Sequence, residues 1–245
     1  MQTLNKLWLN GMKVYITGVS GGLGKALVDA FLSRDFTVVG IGRTNVITHV
    51  HYSFLQCDLS DVSALNNFKF ETEGEECILI NNAGTIGSIE RISEQHESDI
   101  LDVMTVNATA PMQLCQKFLR EIPFQCKATI VNISSGASSR SIPSWAAYCA
   151  SKAAIDRFSE TLYFEEKERN RNVRVYAIAP GVIDTPMQDK IRSSKQNTFS
   201  SAETFRLLYQ NKELQSAESV ADKIVKLLDL PWSDQVIFSL KGISV

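Results

Sequence analysis

The sequence predicts an α/β fold: a doubly wound parallel sheet of about seven strands, in a single domain spanning 1–245. Three observations predict it. Short β-rich runs alternate with helix-like stretches from one end of the chain to the other. The runs are nearly continuous in Val, Ile and Leu, as expected of parallel strands covered on both faces. A chain of 245 residues with 44% apolar side chains can hide roughly 70% of its extended surface, so no disulfide or structural metal is needed to make a core.

KVYIT (13–17) reads as the first strand, running into Thr17-Gly18-Val19-Ser20-Gly21-Gly22-Leu23-Gly24 and a helix over 22–34. FTVVGI (36–41) is the second, ending Gly40-Ile41-Gly42-Arg43-Thr44. SFLQC (53–57) leads through Asp58 and Leu59 to a helix over 61–72. CILIN (77–81) closes on Asn81-Asn82-Ala83-Gly84 and precedes helices over 93–107 and 109–121. ATIVNIS (128–134) runs to Ser135-Gly136 and then to a long helix over 146–169. VRVYAIA (173–179) closes on Pro180-Gly181-Val182-Ile183-Asp184-Thr185. The polar stretch 185–215 lacks strand character and is expected to form a mobile lid over a site. A helix over 217–229 and QVIFSL (235–240) complete the pattern.

Composition excludes several classes of partner. Lys plus Arg is 25 and Asp plus Glu is 27, a net charge of −2, which gives no field for nucleic acid or an anionic membrane. Five cysteines without a C-x-x-C pair read as reduced thiols. The start MQTLNKLWLNGMK has no signal-peptide core, and no apolar run approaches the ~20 residues of a spanning helix. The end, KGISV, carries no lipidation box. A cytoplasmic protein is expected.

A strand, a glycine turn and a helix together offer backbone N–H groups and a positive helix end to a pyrophosphate. Gly18 would permit the exit from the strand, Gly22 the approach of the phosphate and Gly24 the packing of the helix. Two other readings of the same loop fail. A Walker A loop needs four residues before Gly-Lys and then Ser or Thr, but five separate Gly18 from Gly24-Lys25, and Ala26 follows. Gly18-Val19-Ser20-Gly21-Gly22 fits the hydrolase elbow G-x-S-x-G, yet no histidine follows His96 to serve as base.

Tyr148 and Lys152 are four apart on a predicted helix and so share a face. An ammonium beside a phenol favours phenolate, and such a tyrosine can exchange a proton with a carbonyl or alcohol oxygen. Tyr163 and Lys167 repeat the spacing within a charged helix end that is expected to be solvated, so spacing alone does not choose. Context favours Tyr148, because ligands bind beyond the carboxyl ends of parallel strands, where the fourth, fifth and sixth strands end in polar motifs.

T-G-x-x-x-G-x-G, N-N-A-G, a strand-end serine, Y-x-x-x-K and P-G-x-x-x-T in this order resemble the short-chain dehydrogenase/reductase family over nearly the whole chain. The resemblance implies a Rossmann-like fold, a nicotinamide cofactor and catalysis by Ser135, Tyr148, Lys152 and Asn107. In this reading Ser135 holds the substrate oxygen, and Lys152 lowers the Tyr148 pKa and binds the ribose, while Asn107 anchors a relay water. Ser135 is chosen over Ser134 by the family's thirteen-residue spacing to the tyrosine. The implied cofactor contacts are Gly18, Ser20, Gly22, Leu23, Gly24, Arg43, Thr44, Asp58, Leu59, Asn82, Ala83, Gly84, Tyr148, Lys152, Pro180, Gly181, Val182 and Thr185. Within the family, the run Pro180 to Gln188, followed by Ile191-Arg192-Ser193 and a helical lid ending Lys212-Glu213-Leu214, is most similar to sepiapterin and benzil reductases. The acid that holds a pterin in the former falls at Ile237 here.

The second strand ends without the carboxylate that favours NAD, and with Arg43 where a 2′-phosphate would lie; NADP(H) is expected. Ile86, Trp145, Met187 and Phe199 are the expected substrate walls, suited to an apolar or aromatic 1,2-dicarbonyl. The alternatives are reduction of sepiapterin or another carbonyl, and a catalytically silent dinucleotide sensor. His49-x-His51 lacks further ligands at zinc spacing, so no metal is expected. Cys149 reads as a packing residue. Ala146, Ala147, Ala150, Ala153 and Ala154 give the Tyr148 helix a small-residue surface, read as core packing or, from the resemblance, as the face of a homodimer.

Overall fold

The computed structural model describes residues 12–66, 68–70 and 75–241. In chain order the elements are β1 (Lys13–Thr17), α1 (Gly22–Leu32), β2 (Thr37–Gly42), β3 (Tyr52–Gln56), α2 (Val62–Asn66), β4 (Glu76–Asn81), α3 (Glu97–Met104) and α4 (Ala110–Glu121). There follow β5 (Lys127–Ile133), α5 (Ala146–Glu168), β6 (Val173–Ala179), α6 (Pro186–Arg192), α7 (Ala202–Gln210), α8 (Ala217–Asp229) and β7 (Ile237–Ser239). The strands form one all-parallel sheet in the order β3-β2-β1-β4-β5-β6-β7.

Parallel strands with both faces covered need two apolar layers, and both are present. On one face Val14, Ile16, Ile80, Val131 and Ile178 pack against Leu27, Val28 and Phe31 of α1 and Val220, Ile224 and Val225 of α8. On the other, Tyr15, Leu79, Ile130 and Val175 meet Leu114 and Phe118 of α4 and Leu162 and Tyr163 of α5. Each fully buried aliphatic or aromatic side chain contributes about 1.5–3 kcal/mol, which makes these layers the main source of rigidity beneath the strand ends. A third cluster, Ile86, Val103, Trp145, Tyr148, Ile191 and Phe199, ties the 185–215 segment to α3 and α5.

Several elements depart from expectation. Of the helix over 61–72, the described part is helical only at Val62–Asn66, and 68–70 are not helical; 67, 71 and 72 lie outside the described residues. The helix over 93–107 begins with a separate 3₁₀ turn at Ile92–Glu94, and α3 then continues through a π-helical turn, Thr105–Thr109, into α4. The 185–215 segment is helical as expected, forming α6 and α7, with its two feet joined at the Ile183–Gln215 bridge. The last strand shrinks to three residues. His49 and His51 lie exposed before β3 and not on a strand face. Ala146, Ala150 and Ala153 lie exposed on one side of α5, so that side does not pack in the core; Ala147 is buried. The ends MQTLNKLWLNG and GISV lie outside the described residues. No described helix is long and apolar enough to cross a membrane.

Candidate active site

The carboxyl ends of β1, β4, β5 and β6 open into one cleft of about 1580 Å³. The chain winds outward in opposite directions from β1 and β4, and that switch point is where a parallel sheet leaves a crevice. The glycine loop lies at its floor. Gly18 has φ +73°, and a Cβ there would stand 2.8 Å from the Ala83 Cα. At Gly24 a Cβ would fall 2.1 Å from the Gly18 carbonyl oxygen, so this turn of α1 can close on the loop only without a side chain.

Asn82 and Thr17 build the loop. Asn82 Nδ2 donates to the carbonyls of Thr17 (2.9 Å) and Gly18 (3.2 Å), while Thr17 Oγ1 accepts from the backbone N–H of Asn82 (3.0 Å) and Ala83 (2.9 Å). The Asn82 side chain is thus committed to the protein. Thr17, 1% exposed, is a positioning residue that sequence reasoning passed over; its place opposite N-N-A-G was the available signal.

Ser135, Tyr148 and Lys152 line the same cleft. The Ser135 hydroxyl accepts from the Ala137 N–H at 3.1 Å and hydrogen-bonds the phenol. Lys152 Nζ donates to the Ile133 carbonyl at 2.7 Å and stands 5.8 Å from the centre of the Tyr148 ring. Asn107 lies behind them in the π turn, 1% exposed. Its amide holds Thr85 from both sides, accepting the Thr85 N–H and donating to the Thr85 carbonyl, each at 2.8 Å, and it also donates to Ser151 Oγ at 3.1 Å.

Burial dominates the electrostatics. It pushes the Tyr148 phenol above its ordinary value, with the Ser135 hydrogen bond acting in the other direction. Burial also brings Lys152 down to about 8, opposed by the charge of Asp156. The expected lowering of the Tyr148 pKa by Lys152 does not appear in the protein alone, where burial is the largest influence and raises it.

Every residue expected to meet a dinucleotide lines this cleft, from Gly18 and Ser20 at one end through Arg43, Thr44, Asp58 and Leu59 to Pro180, Gly181, Val182 and Thr185. Arg43 and Thr44 are exposed, and Arg43 has no ion pair among the described residues. Asp58 accepts from Ser60 N–H and Oγ at 3.0 and 2.8 Å, which lowers its pKa, with help from the nearby Arg43 charge. An open glycine cradle, exposed N–H groups at the start of α1 and a free guanidinium fit a phosphorylated dinucleotide.

At the far end Ile86, Trp145 and Met187 line the cleft as expected. Phe199 does not. It is 0% exposed and stacks behind Trp145, ring centroids 5.3 Å apart, so it props the wall from inside. Ile142, Ile191, Phe205 and Leu208 complete the apolar surface; the last two lie on α7, in a stretch too polar for periodicity to mark them. Ile237 is 39% exposed and outside the cleft, and at this edge Ser239, Leu240 and Lys241 face it, none of them an acid.

The rival pair lies elsewhere. Tyr163 is buried against Trp232 in the core, with Lys167 5.3 Å from its ring, far along α5 from the cleft. The expectation of a solvated Tyr163 is corrected, because its ring seals the lower layer while only Lys167 faces water. Among the described residues no group of three His, Cys, Asp or Glu is placed to hold a metal.

A family model for the short chain dehydrogenases matches residues 12–196. The benzil reductase ((S)-benzoin forming) of Bacillus subtilis is 34% identical over 241 residues, covering 94% of this chain and 99% of that protein. The sepiapterin reductase of Xenopus tropicalis is 32% identical over 65% of this chain and 60% of its own. In structure, a short chain dehydrogenase/reductase of Saccharomyces cerevisiae superposes with a TM-score of 0.80 at 26% identity, covering 94% of this chain and 96% of that one.

Proposed function

The chain belongs to the short-chain dehydrogenase/reductase family of nicotinamide-dependent oxidoreductases acting on CH–OH and C=O groups, and from that premise we propose that it is an NADPH-dependent reductase of aromatic or apolar 1,2-dicarbonyls. One observation carries the reading: Ser135, Tyr148 and Lys152 meet at a cleft whose other end is a glycine cradle with a free Arg43.

The bound nicotinamide would supply a hydride to the carbonyl carbon. Ser135 Oγ would donate to the carbonyl oxygen, and Tyr148 would deliver its phenolic proton to the alkoxide as it forms. A phenol held protonated by burial suits reduction, since it enters the step already carrying the proton. Lys152, charged and in contact with the end of β5, would stabilise the phenolate left behind and hold the ribose. Asn107 would keep the Thr85 loop and α5 in place around the substrate. Ile86, Trp145, Met187 and Ile191 would exclude water from the reacting carbonyl. Segment 185–215, hinged at Ile183 and Gln215, would act as the lid. The likeness to benzil reductase and the missing acid at the end of β7 favour a diketone over a pterin.

The test is steady-state turnover of benzil, other aromatic diketones and sepiapterin with each cofactor. NADPH should be preferred over NADH by ~10–100-fold in kcat/KM, the worth of one or two charge-assisted bonds. Arg43→Ala should collapse that preference by raising KM for NADPH alone. Equal wild-type efficiency with both cofactors, or faster turnover of sepiapterin than of any diketone, would count against the reading; cofactor binding without turnover would indicate a sensor. We also propose a homodimer, supported by the exposed alanine side of α5 and a groove of about 720 Å³ between α4 and α5. A monomer mass in light scattering would contradict it.

A further inference from the structure

Four consecutive residues at the end of β5 each hold one residue of α5. Asn132 Nδ2 donates to Ser159 Oγ at 2.8 Å, the Ile133 carbonyl accepts Lys152 Nζ, Ser134 Oγ donates to Asp156 Oδ1, and Ser135 meets Tyr148. Residues 148, 152, 156 and 159 recur at helical spacing, so α5 lays one face along the strand end. Two of the four links belong to the chemistry already described, and the Asn132–Ser159 link is neutral and fully buried. The Ser134–Asp156 link is different. It places a carboxylate, half-buried and with no ion pair among the described residues, one helical turn from Lys152. Its neighbour Arg157 pairs with Glu160 instead, at 2.9 Å.

The groups that face Lys152 are few. Its own helix offers the Tyr148 phenol and Asp156, and β5 offers the Ile133 carbonyl. The π turn offers the neutral Asn107, and the loop after β4 offers Gly84, where an added Cβ would lie 3.6 Å from Nζ. Asp156 is the one carboxylate among the described residues whose field bears on the ammonium. Ser134, 4% exposed, fixes where that carboxylate points.

We propose that Asp156, held by Ser134, is a positioning residue that supplies the counter-charge of Lys152 and keeps the Tyr148–Lys152 face of α5 in register with the end of β5. The inference rests on the reading of Tyr148 and Lys152 as the working pair, but its test does not need turnover. Asp156→Asn keeps an oxygen to accept from Ser134 and removes only the charge; Ser134→Ala keeps the charge and frees the carboxylate. The Lys152 titration midpoint can be followed by ¹³Cε NMR in the free protein. Asp156→Asn should lower it by ~0.5–1 unit, Ser134→Ala by less, and the double variant by no more than Asp156→Asn alone. The alkaline limb of kcat for carbonyl reduction should move down with the midpoint, while KM for NADPH stays close to wild type.

A folded Asp156→Asn protein with an unmoved midpoint overturns the proposal even if its Tm falls, because a merely structural bond changes Tm alone. Should Asp156→Asn fail to fold, Ser134→Ala carries the test, and an unmoved midpoint there overturns it equally. A wild type without turnover would sink the reductase reading and leave the midpoint experiment intact.

Discussion

Lys152 is 5% exposed, and burial brings its pKa from the ordinary 10.5 to about 8. Because the folded value lies below the unfolded one, charging this lysine costs stability in full below about pH 8, and the cost is relieved between about 8 and 10.5. At neutral pH that penalty is on the order of 3 kcal/mol. Lys152→Met should therefore abolish turnover yet raise Tm at pH 7, with the gap to wild type narrowing as pH rises towards 10. A lower Tm for the variant at pH 7 would show that the Ile133 bond outweighs desolvation. At this scale the sequence was informative about identity and silent about environment. Spacing paired Tyr148 with Lys152 but paired Tyr163 with Lys167 equally well; the polar strand ends favoured the first pair, and the family resemblance selected Ser135. The direction of the Tyr148 shift was not legible, because it depends on how much of the fold covers the ring.

The elements repeat that division. Strands were legible as nearly continuous apolar runs, and their ends fell within a residue or two of the observed bounds. The π turn at Thr105–Thr109 was not, because it exists to turn the Asn107 amide onto Thr85, a partner over twenty residues away. The helical character of α6 and α7 was expected only through the resemblance, because their apolar residues are too sparse to show a period and are fixed by the Trp145–Phe199–Phe205 stack. Phe199 is the keystone of that stack. Phe199→Ala opens a cavity worth ~3–5 kcal/mol beneath Trp145 and loosens α7. It should raise KM for the carbonyl substrate while leaving KM for NADPH nearly unchanged. An equal rise in both would mean that Phe199 supports the whole cleft and not its substrate wall.

Across the whole molecule, the two apolar layers hold four strand ends rigidly enough for side chains from β4, β5, the π turn and α5 to converge to hydrogen-bond distance. The same α5 also provides an internal control, because Tyr148 and Tyr163 share a spacing to lysine and differ only in where the fold places them. Convergence at the cleft, and not the Y-x-x-x-K pattern alone, underlies the proposed catalysis. The most direct measurement is kcat for benzil reduction with saturating NADPH in wild type, Tyr148→Phe and Tyr163→Phe, with NADPH affinity measured alongside. Loss of a positioned proton donor predicts a fall of ~10²–10⁴-fold for Tyr148→Phe with NADPH affinity kept. Tyr163→Phe should turn over at the wild-type rate, its cost confined to Tm. Equal losses in the two variants, or a Tyr148→Phe protein as fast as wild type, would contradict it.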